Sequence, residues 1–264
     1  MKKTAYLLIL MMTGVILTAC FQDLGQNPPF DFPEQPTPPP IGEDGQMFYL
    51  SFDEDLEDYQ SLMEAAVVGT PSFADGKSGK AYAGAANSYL TFDVANMAAP
   101  LSSSMTFTFW YKVNGTPDRA GILVISPPHE GKPANAQNNR IAGIRIFREN
   151  ASGKQRVKAN IGNGTADIWL DGVAKADLDP ETAEWVHIAL VLAPTKATFY
   201  MGGVEVAAAT FTGISWEKCD LMSIGSGAPR FNEWGHLSDQ SLIDEVRIYN
   251  KALPASEIER LAAE

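Results

Sequence analysis

Short runs of alternating apolar and polar residues follow one another from Met47 to the C-terminus. The clearest run, 105–113, places five apolar side chains on one face: Met105, Phe107, Phe109, Tyr111 and Val113. Similar runs are 48–52, 89–92, 121–125, 141–147, 156–161, 186–192, 198–201, 204–208, 221–224 and 242–249. Alternation of this kind is typical of strands that bury one face. So many short strands predict two stacked antiparallel sheets.

Two local signals add a turn and a helix to this pattern. Gly202 and Gly203 separate two runs and predict a tight hairpin turn, because glycine accepts positive φ at both central positions. Near the C-terminus, Pro254 is followed by Ser256 and Glu259, which have the spacing of a capping box. We expect one short helix there, with an apolar side that docks on the sheets.

The N-terminal sequence predicts a secretion signal and a membrane anchor. Lys2 and Lys3 precede a short apolar run, which predicts a secretory signal peptide over residues 1–19. The run ends in Leu-Thr-Ala-Cys20, which resembles the bacterial lipobox, where cleavage precedes a cysteine that takes up a diacylglycerol. We therefore predict lipid attachment at Cys20. An ordinary signal peptide with an incidental cysteine is the alternative.

Residues 20–45 form the predicted lipidated N-terminus and linker. Proline recurs through 27–40 and favours an extended polyproline II spacer. The spacer would hold a domain over 46–264 away from a membrane. The predicted location is the bacterial cell envelope, lipid-anchored at the outer membrane or cell surface.

Composition excludes several classes of protein. The chain has 264 residues and is 45% hydrophobic, which is enough to bury a core, and its 2 cysteines exclude a disulfide scaffold. We interpret Cys219 as a small core residue. With 20 Lys+Arg against 32 Asp+Glu, the formal charge of −12 argues against nucleic-acid binding. Without Lys2 and Lys3 the balance is 18 against 32, or −14, so an anionic membrane surface would repel the chain.

Several segments, in this order, resemble laminin G-like domains of the concanavalin A-like lectin/glucanase superfamily. The most specific is the run 242–254, LIDEVRIYNKALP, and 52–53, 76–82, 107–113 and 185–189 support it. The resemblance spans residues 47–264. It implies an all-β, two-sheet antiparallel jelly-roll sandwich with a short C-terminal helix. This fold hosts lectins, hydrolases and adhesive modules alike.

Laminarinase-type hydrolases of this fold carry Glu-x-Asp-x-x-Glu, because two carboxylates must flank one sugar bond. The sequence contains no such motif. Its nearest run, Asp53-x-Asp55-x-x-Asp58, holds three aspartates where the first strand is predicted to end. We therefore predict a protein that is not an enzyme.

Asp244 lies inside the predicted strand 242–249, on the same side as Val246. A buried carboxylate is costly unless it is neutralised. The resemblance implies a structural Ca²⁺ bound by the Asp244 side chain and by backbone carbonyls near Asp53 and Gly79. Oxygen ligands suit this cation. Neutralisation by backbone N–H groups or by Arg247 is the alternative, and both interpretations stay open.

Glycans are held by aromatic rings, with amide, carboxylate and guanidinium groups bonding the hydroxyls. The candidates for glycan contact share these chemistries and predicted loop or outward-facing positions: Trp110, Trp216, Arg230, Asn232 and Trp234. The segment 230–236 is the predicted contact loop. Packing against the sheets is the alternative role of each tryptophan.

These observations favour a cell-envelope lipoprotein with a non-catalytic carbohydrate-binding domain, part of a polysaccharide uptake system. The expected partners are a glycan or polysaccharide and, through the lipid, a membrane. The alternative is a structural or adhesive module that binds a protein or matrix partner. A glycoside hydrolase is the third hypothesis.

Overall fold

A computed structural model of the protein describes residues 44–53 and 55–264. Two large antiparallel sheets enclose one core. The first sheet contains, in spatial order, β16 (Val204–Thr210), β15 (Lys196–Met201), β14 (Val186–Ala193), β8 (Met105–Lys112), β18 (Leu242–Tyr249), β6 (Lys80–Ala83) and β5 (Ser72–Asp75), with β1 (Gln46–Leu50) also paired to β18. The second contains β12 (Asp167–Asp171), β11 (Lys154–Gly162), β10 (Ile144–Ala151), β9 (Arg119–Ile125), β17 (Leu221–Ile224), β7 (Tyr89–Asp93) and β4 (Ala66–Val68), with β13 (Asp177–Leu178) paired to β11.

The remaining elements are short and lie outside the two large sheets. They are the hairpin β2 (Glu57–Asp58) and β3 (Met63–Glu64), the 3₁₀ turns Val94–Asn96, Val173–Ala176 and Pro180–Thr182, and the helix α1 (Ala255–Leu261). The predicted fold class is confirmed: the described residues form an all-β, two-sheet jelly-roll sandwich with a short C-terminal helix.

The alternation seen in the sequence builds the core between the sheets. On β8, Phe107, Phe109 and Tyr111 point inward and are fully buried. They belong to the same apolar cluster as Ile144 and Ile146 of β10 in the facing sheet. Because both sheets contribute one apolar face, neither could stay folded in water without the other.

The outer face of the first sheet is covered as well. Ala189 and Val191 of β14 pack with Ile258 and Leu261 of α1 in a second apolar cluster. The predicted docking of the helix is confirmed. The predicted capping box is wrong, because the helix begins at Ala255 with Pro254 as its N-cap and no side chain caps it.

Residues with positive φ set side-chain directions at two places in the first sheet. Gly202 and Gly203 have φ of 57° and 80°, which confirms the predicted hairpin turn. On β18, Glu245 also has a positive φ, 52°, at a bulge in the pairing with β8. A bulge interrupts alternation. Val246 faces the core, whereas Asp244 pairs with Trp110 on the outer face of β8, so the prediction that both share one side is wrong.

Candidate functional site

A cluster of aromatic side chains lies on the outer face of the second sheet. Strand β10 alternates, so the neighbours of its core residues point away from the core, and Phe147 is one of them. Its ring centroid lies 5.8 Å from that of Trp169 on β12, 5.3 Å from Phe231 and 4.7 Å from His236. The last two residues belong to the loop 226–241, which lies between β17 and β18. Phe147 is thus the floor on which the loop packs.

His236 joins this aromatic group to a charged one. Its ring stacks on Phe231 with centroids 4.5 Å apart and planes inclined by 13°. Its Nε2 lies 3.0 Å from Oε1 of Glu149, and Nζ of Lys158 donates to Oε2 of the same carboxylate at 3.2 Å. The hydrogen bond to His236, followed by that to Lys158, lowers the pKa of Glu149 to about 2. Glu149 is therefore ionised and already partnered at neutral pH.

Two exposed tryptophans flank a cleft above this floor. Trp169 is 45% exposed and Trp234 is 60% exposed, although large aromatic side chains are otherwise mostly buried in this sandwich. The cleft has a volume of about 190 Å³. We call it the tryptophan cleft, and its lining residues are Arg119, Arg140, Glu149, Trp169, Phe231, Trp234 and His236.

Two arginines add hydrogen-bond donors to the tryptophan cleft. Nη1 of Arg119 donates to the backbone carbonyl of Trp234 at 2.9 Å. The guanidinium carbon of Arg140 lies 5.3 Å from the ring centroid of Trp169, within the range of a cation–π contact. Nη1 of Arg140 also faces Oδ2 of Asp167 at 3.6 Å. The cleft therefore combines flat apolar rings with charged donors.

A larger cavity of about 490 Å³ lies beside the cleft, and Arg140 and Asp167 line it together with residues of the loop 126–143. Arg145, fully buried on the outer face of β10, organises that loop. Its Nη2 donates to Oγ of Ser126, at 2.7 Å, and to backbone carbonyls of the loop. Burial lowers the pKa of Arg145 to about 9.

The predicted glycan residues are not brought together. Trp234 lines the tryptophan cleft, and Trp216 lines a different, mostly apolar cavity. Trp216 packs against Phe107, with centroids 6.2 Å apart, and its Nε1 donates to the carbonyl of Ser102 at 2.7 Å. Trp110 is buried on the first sheet, under Nζ of Lys77 at 4.3 Å. Both have the packing role given above as the alternative.

The polar candidates are partnered inside the protein. Nη2 of Arg230 donates to both carboxylate oxygens of Asp220, at 2.8 and 2.7 Å. Asn232 is buried, its Oδ1 accepts from the backbone N–H of Gln137 at 2.9 Å, and its Nδ2 donates to the carbonyl of Ala134 at 2.8 Å. Asn232 thus joins the loop 226–241 to the loop 126–143.

Sequence reasoning missed most of the cleft. The missed lining residues are Arg119, Arg140, Glu149 and Trp169, together with Phe147 of the floor, and Phe231 and His236 were included only through the contact loop. One signal was available: Trp169 lies between Asp167 and Asp171, and alternation places all three on one face. A tryptophan on a polar strand face indicates an exposed ring.

The surroundings of Asp244 bear on the calcium prediction. Its Oδ2 accepts from the backbone N–H groups of Lys77, at 2.7 Å, and Ser78, at 3.0 Å, and its Oδ1 accepts from that of Glu245 at 2.8 Å. Burial nevertheless raises its pKa to about 6. N–H donors at both oxygens suit an ionised Asp244 carboxylate, and they leave only one of its lone pairs for a cation. This donor set does not fit Ca²⁺ as arranged.

Asp53 and Gly79 were predicted to stand beside that ion. Oδ1 of Asp53 accepts from the backbone N–H of Lys80 at 2.7 Å and lies against Gly79. Among residues 44–53 and 55–264, no group of three or more His, Cys, Asp or Glu side chains could hold a metal. Calcium binding stays a prediction.

The aspartates of the first turn are occupied with backbone contacts. Asp58 is fully buried, and its Oδ1 accepts from the N–H groups of Tyr49 at 2.7 Å and Gln60 at 3.0 Å. Oδ1 of Asp55 accepts from the N–H of Glu57 at 3.3 Å. These aspartates hold the turn together, and neither lines the tryptophan cleft.

Three further predictions concern the cysteines and the membrane. Cys219 lies in the core, and burial raises the pKa of its thiol to about 12, which is consistent with a core role. Cys20, the signal peptide 1–19 and nearly all of the linker 20–45 lie outside the described residues and stay predictions. No helix within the described ranges is long and apolar enough to cross a membrane.

A laminin G family model, described as the concanavalin A-like lectin/glucanases superfamily, matches residues 84–259. The chain belongs to this superfamily. The resemblance stated from the sequence is thereby confirmed. No curated protein matches the chain by sequence.

Solved structures of the superfamily fold include several binding domains. One is domain 4 of AbnA, a GH43 extracellular arabinanase from Geobacillus stearothermophilus, in complex with arabinotriose; it is 22% identical, with a TM-score of 0.59 over 82% of this chain and 98% of that one. A second is the binding domain of Paraclostridial Mosquitocidal Protein 1, 14% identical, with a TM-score of 0.57 over 83% of this chain and 52% of that one.

A third is the binding domain of botulinum neurotoxin DC in complex with SialylT, 13% identical, with a TM-score of 0.54 over 83% of this chain and 51% of that one. The chain therefore spans about half the length of each of the two toxin domains. At these identities the likeness shows a shared fold. Two of the three structures are complexes with a saccharide.

Proposed function

We propose that the protein is a cell-envelope lipoprotein whose sandwich binds a glycan in the tryptophan cleft without cleaving it. The observation that carries the proposal is the pair of exposed tryptophans, Trp169 and Trp234, above a floor of packed aromatic rings. Exposed apolar surface rimmed by polar groups marks binding sites. A pyranose offers an apolar face to a ring and hydroxyls to the polar rim.

The rim of the cleft supplies the hydrogen-bonding groups that hydroxyls need. Arg119 and Arg140 present guanidinium donors at opposite tryptophans. The floor is held rigidly by Phe147 and the stacked His236, so the site is formed before a ligand arrives. A preformed site avoids the entropic cost of ordering side chains on binding. The saccharides bound to domain 4 of AbnA and to the neurotoxin domain support glycan binding by this fold.

The cleft supports binding better than hydrolysis. Glycosidases of the usual kind place two carboxyl groups across one sugar bond. Glu149 is the one carboxylate among the residues that line the cleft, and it is engaged by His236 and Lys158. The proposal is therefore a non-catalytic domain.

The N-terminal sequence supports the anchored part of the proposal. A lipid on Cys20 and a stiff proline-rich tether would present the cleft at the outer membrane or cell surface, where polysaccharides reach an uptake system. Replacement of Cys20 by serine should prevent incorporation of radioactive palmitate. Labelling of the Cys20→Ser protein would contradict the anchor.

Glycan binding is tested with the purified full-length protein on a glycan array, with Ca²⁺ and with a chelator. We expect hits that Trp234→Ala and Trp169→Ala both abolish. Phe73→Ala is the matched control, because Phe73 is also an exposed aromatic residue but lies on β5 of the other sheet. An array without hits, or hits that survive both tryptophan substitutions, would reject the proposed site.

An adhesive module is the second candidate. Val67 and Val68 on β4 and Phe73 on β5 are exposed apolar residues on the end strands of the two sheets. Exposed strand edges can pair with another polypeptide. This function predicts no array hits, adhesion to immobilised matrix proteins, and loss of that adhesion in Phe73→Ala.

A further inference from the structure

The charged groups around the tryptophan cleft are unequally partnered. Glu149 faces Nε2 of His236 at 3.0 Å and Nζ of Lys158 at 3.2 Å. Both of its oxygens therefore already have a donor. Its negative charge is compensated inside the protein, and it offers little to repel an anionic ligand.

Arg119 is different. It is exposed, and Nη1 donates to the backbone carbonyl of Trp234 at 2.9 Å. No carboxylate of the described residues lies within 4.0 Å of its guanidinium nitrogens. A guanidinium has five N–H donors, so most of those on Arg119 remain available at the mouth of the cleft.

Arg140 and Arg145 add to the positive charge. Arg140 faces Asp167 at 3.6 Å, a distance too long for a good hydrogen bond, and its side chain is 38% exposed beside Trp169. Arg145 is fully buried beneath the neighbouring loop, and its hydrogen bonds go to neutral oxygens. Among the residues that line the cleft, two arginines stand against one carboxylate, in a chain of formal charge −12.

The geometry points to an acidic saccharide, with its ring against the tryptophans and its carboxylate on the guanidinium of Arg119. This inference rests on the proposed function and names the class of glycan that the cleft selects. A planar guanidinium can donate two parallel hydrogen bonds to a carboxylate, and such charge-assisted bonds are about twice as strong as neutral ones. A sulfated sugar shares part of this chemistry, and the test separates the two.

The test uses the full-length protein on an array that holds neutral, uronate-bearing, sialylated and sulfated glycans. We expect hits among the carboxylate-bearing glycans and a marked loss of signal at high salt, because salt screens exposed charges. The best hit is then titrated calorimetrically beside its methyl ester, which keeps the ring and removes the charge. We expect the ester to bind about tenfold more weakly or worse.

Variants assign the effect to Arg119. Arg119→Gln should weaken binding of the acidic glycan about tenfold or more. Arg119→Lys keeps the charge and a donor for the Trp234 carbonyl, so it should lose less affinity than Arg119→Gln. Arg260→Gln is the matched control. Arg260 lies on α1, which packs on the other sheet, so this substitution should leave the affinity unchanged. Equal melting temperatures of the variants and the parent protein would show that folding is intact.

The possible results separate this inference from the function on which it rests. Hits confined to neutral glycans, or equal binding of acid and ester, would overturn the acidic preference, while loss of that binding in Trp234→Ala would leave the glycan site standing. Hits confined to sulfated glycans would overturn the carboxylate assignment. No hits of any class would overturn the proposed function itself.

Discussion

Arg148 and Asp239 form an ion pair in which both side chains are fully buried, with Nη2 of the arginine 2.9 Å from Oδ1 of the carboxylate. The hydroxyl groups of Tyr111 and Ser241 also donate to this carboxylate, at 2.6 and 2.7 Å. Arg148 lies on β10 of the second sheet, and Asp239 lies in the loop 226–241. The pair therefore ties the loop that carries Trp234 to the sheet beneath it.

Asp239→Asn should strongly destabilise the protein. The amide keeps the size of the side chain but leaves the guanidinium of Arg148 buried without a counter-charge, a change that costs about 3–5 kcal/mol in buried pairs. Urea unfolding measures the loss of free energy. Asp75→Asn is the matched control, because Asp75 and its partner Lys80 are exposed and such pairs contribute little. Similar urea midpoints for Asp239→Asn and the parent protein would contradict the anchoring role.

His236 should matter more for the shape of the cleft than for its charge. His236→Ala removes the ring that stacks on Phe231 and packs on Phe147, and an aromatic pair contributes about 0.5–1.5 kcal/mol beyond its buried area. We expect lower stability and weaker glycan binding in His236→Ala, and smaller losses in His236→Phe, which keeps a ring. Glycan titration and thermal unfolding check both. Equal affinities in the two variants would show that the ring is dispensable.

His187 should make the protein less stable as the pH falls. It is buried beside Trp110, with ring centroids 5.4 Å apart, and burial lowers its pKa from 6.5 to about 4. The unfolded chain therefore binds a proton between pH 6.5 and 4 that the folded chain does not, so this contribution is lost as the pH falls through that range. At about 1.4 kcal/mol per pKa unit, it amounts to about 3 kcal/mol at most.

The substitution His187→Phe isolates this contribution. Phenylalanine can keep the edge-on contact with Trp110 and has no group to protonate. The variant should lose less stability than the parent protein between pH 6.5 and pH 4, measured as urea midpoints at several pH values. Parallel curves for the two proteins would rule out His187 as the acid-sensitive group.

The sheets were predictable because residues that face the core of a sandwich alternate with outward-facing residues along each single strand. Strand β8 is the clearest case, since one face is apolar over its whole length. Where alternation breaks, prediction failed: the bulge at Glu245 turns Asp244 away from Val246, and only the three-dimensional pairing shows it. Strand β12 was missed because it is short and polar on its outer face.

The cleft was less predictable because it is assembled from distant segments. Trp169 and Trp234 come together only through the pairing of β12 with β11 and the packing of the loop 226–241 on Phe147. Composition indicated aromatic and polar groups in 230–236, but it could not indicate that Asn232 would be buried and Trp234 exposed. That difference is decided by the Gln137 and Ala134 contacts across the fold.

Thermal unfolding with and without Ca²⁺ distinguishes whether the Asp244 carboxylate binds calcium or is neutralised by backbone N–H groups. Because three N–H groups already serve its carboxylate, we expect thermal unfolding to occur at the same temperature with Ca²⁺ and with a chelator. Asp244→Asn should lower stability by about 1–3 kcal/mol, since an amide nitrogen must then face N–H donors. Because burial raises the pKa of Asp244 from 3.8 to about 6, its own contribution favours the fold at acidic pH and is lost as the pH rises through that interval, opposite to His187. A melting temperature that rises with Ca²⁺ in the parent protein and not in Asp244→Asn would instead establish the metal site, with the turn 76–79 rearranged to present carbonyl oxygens.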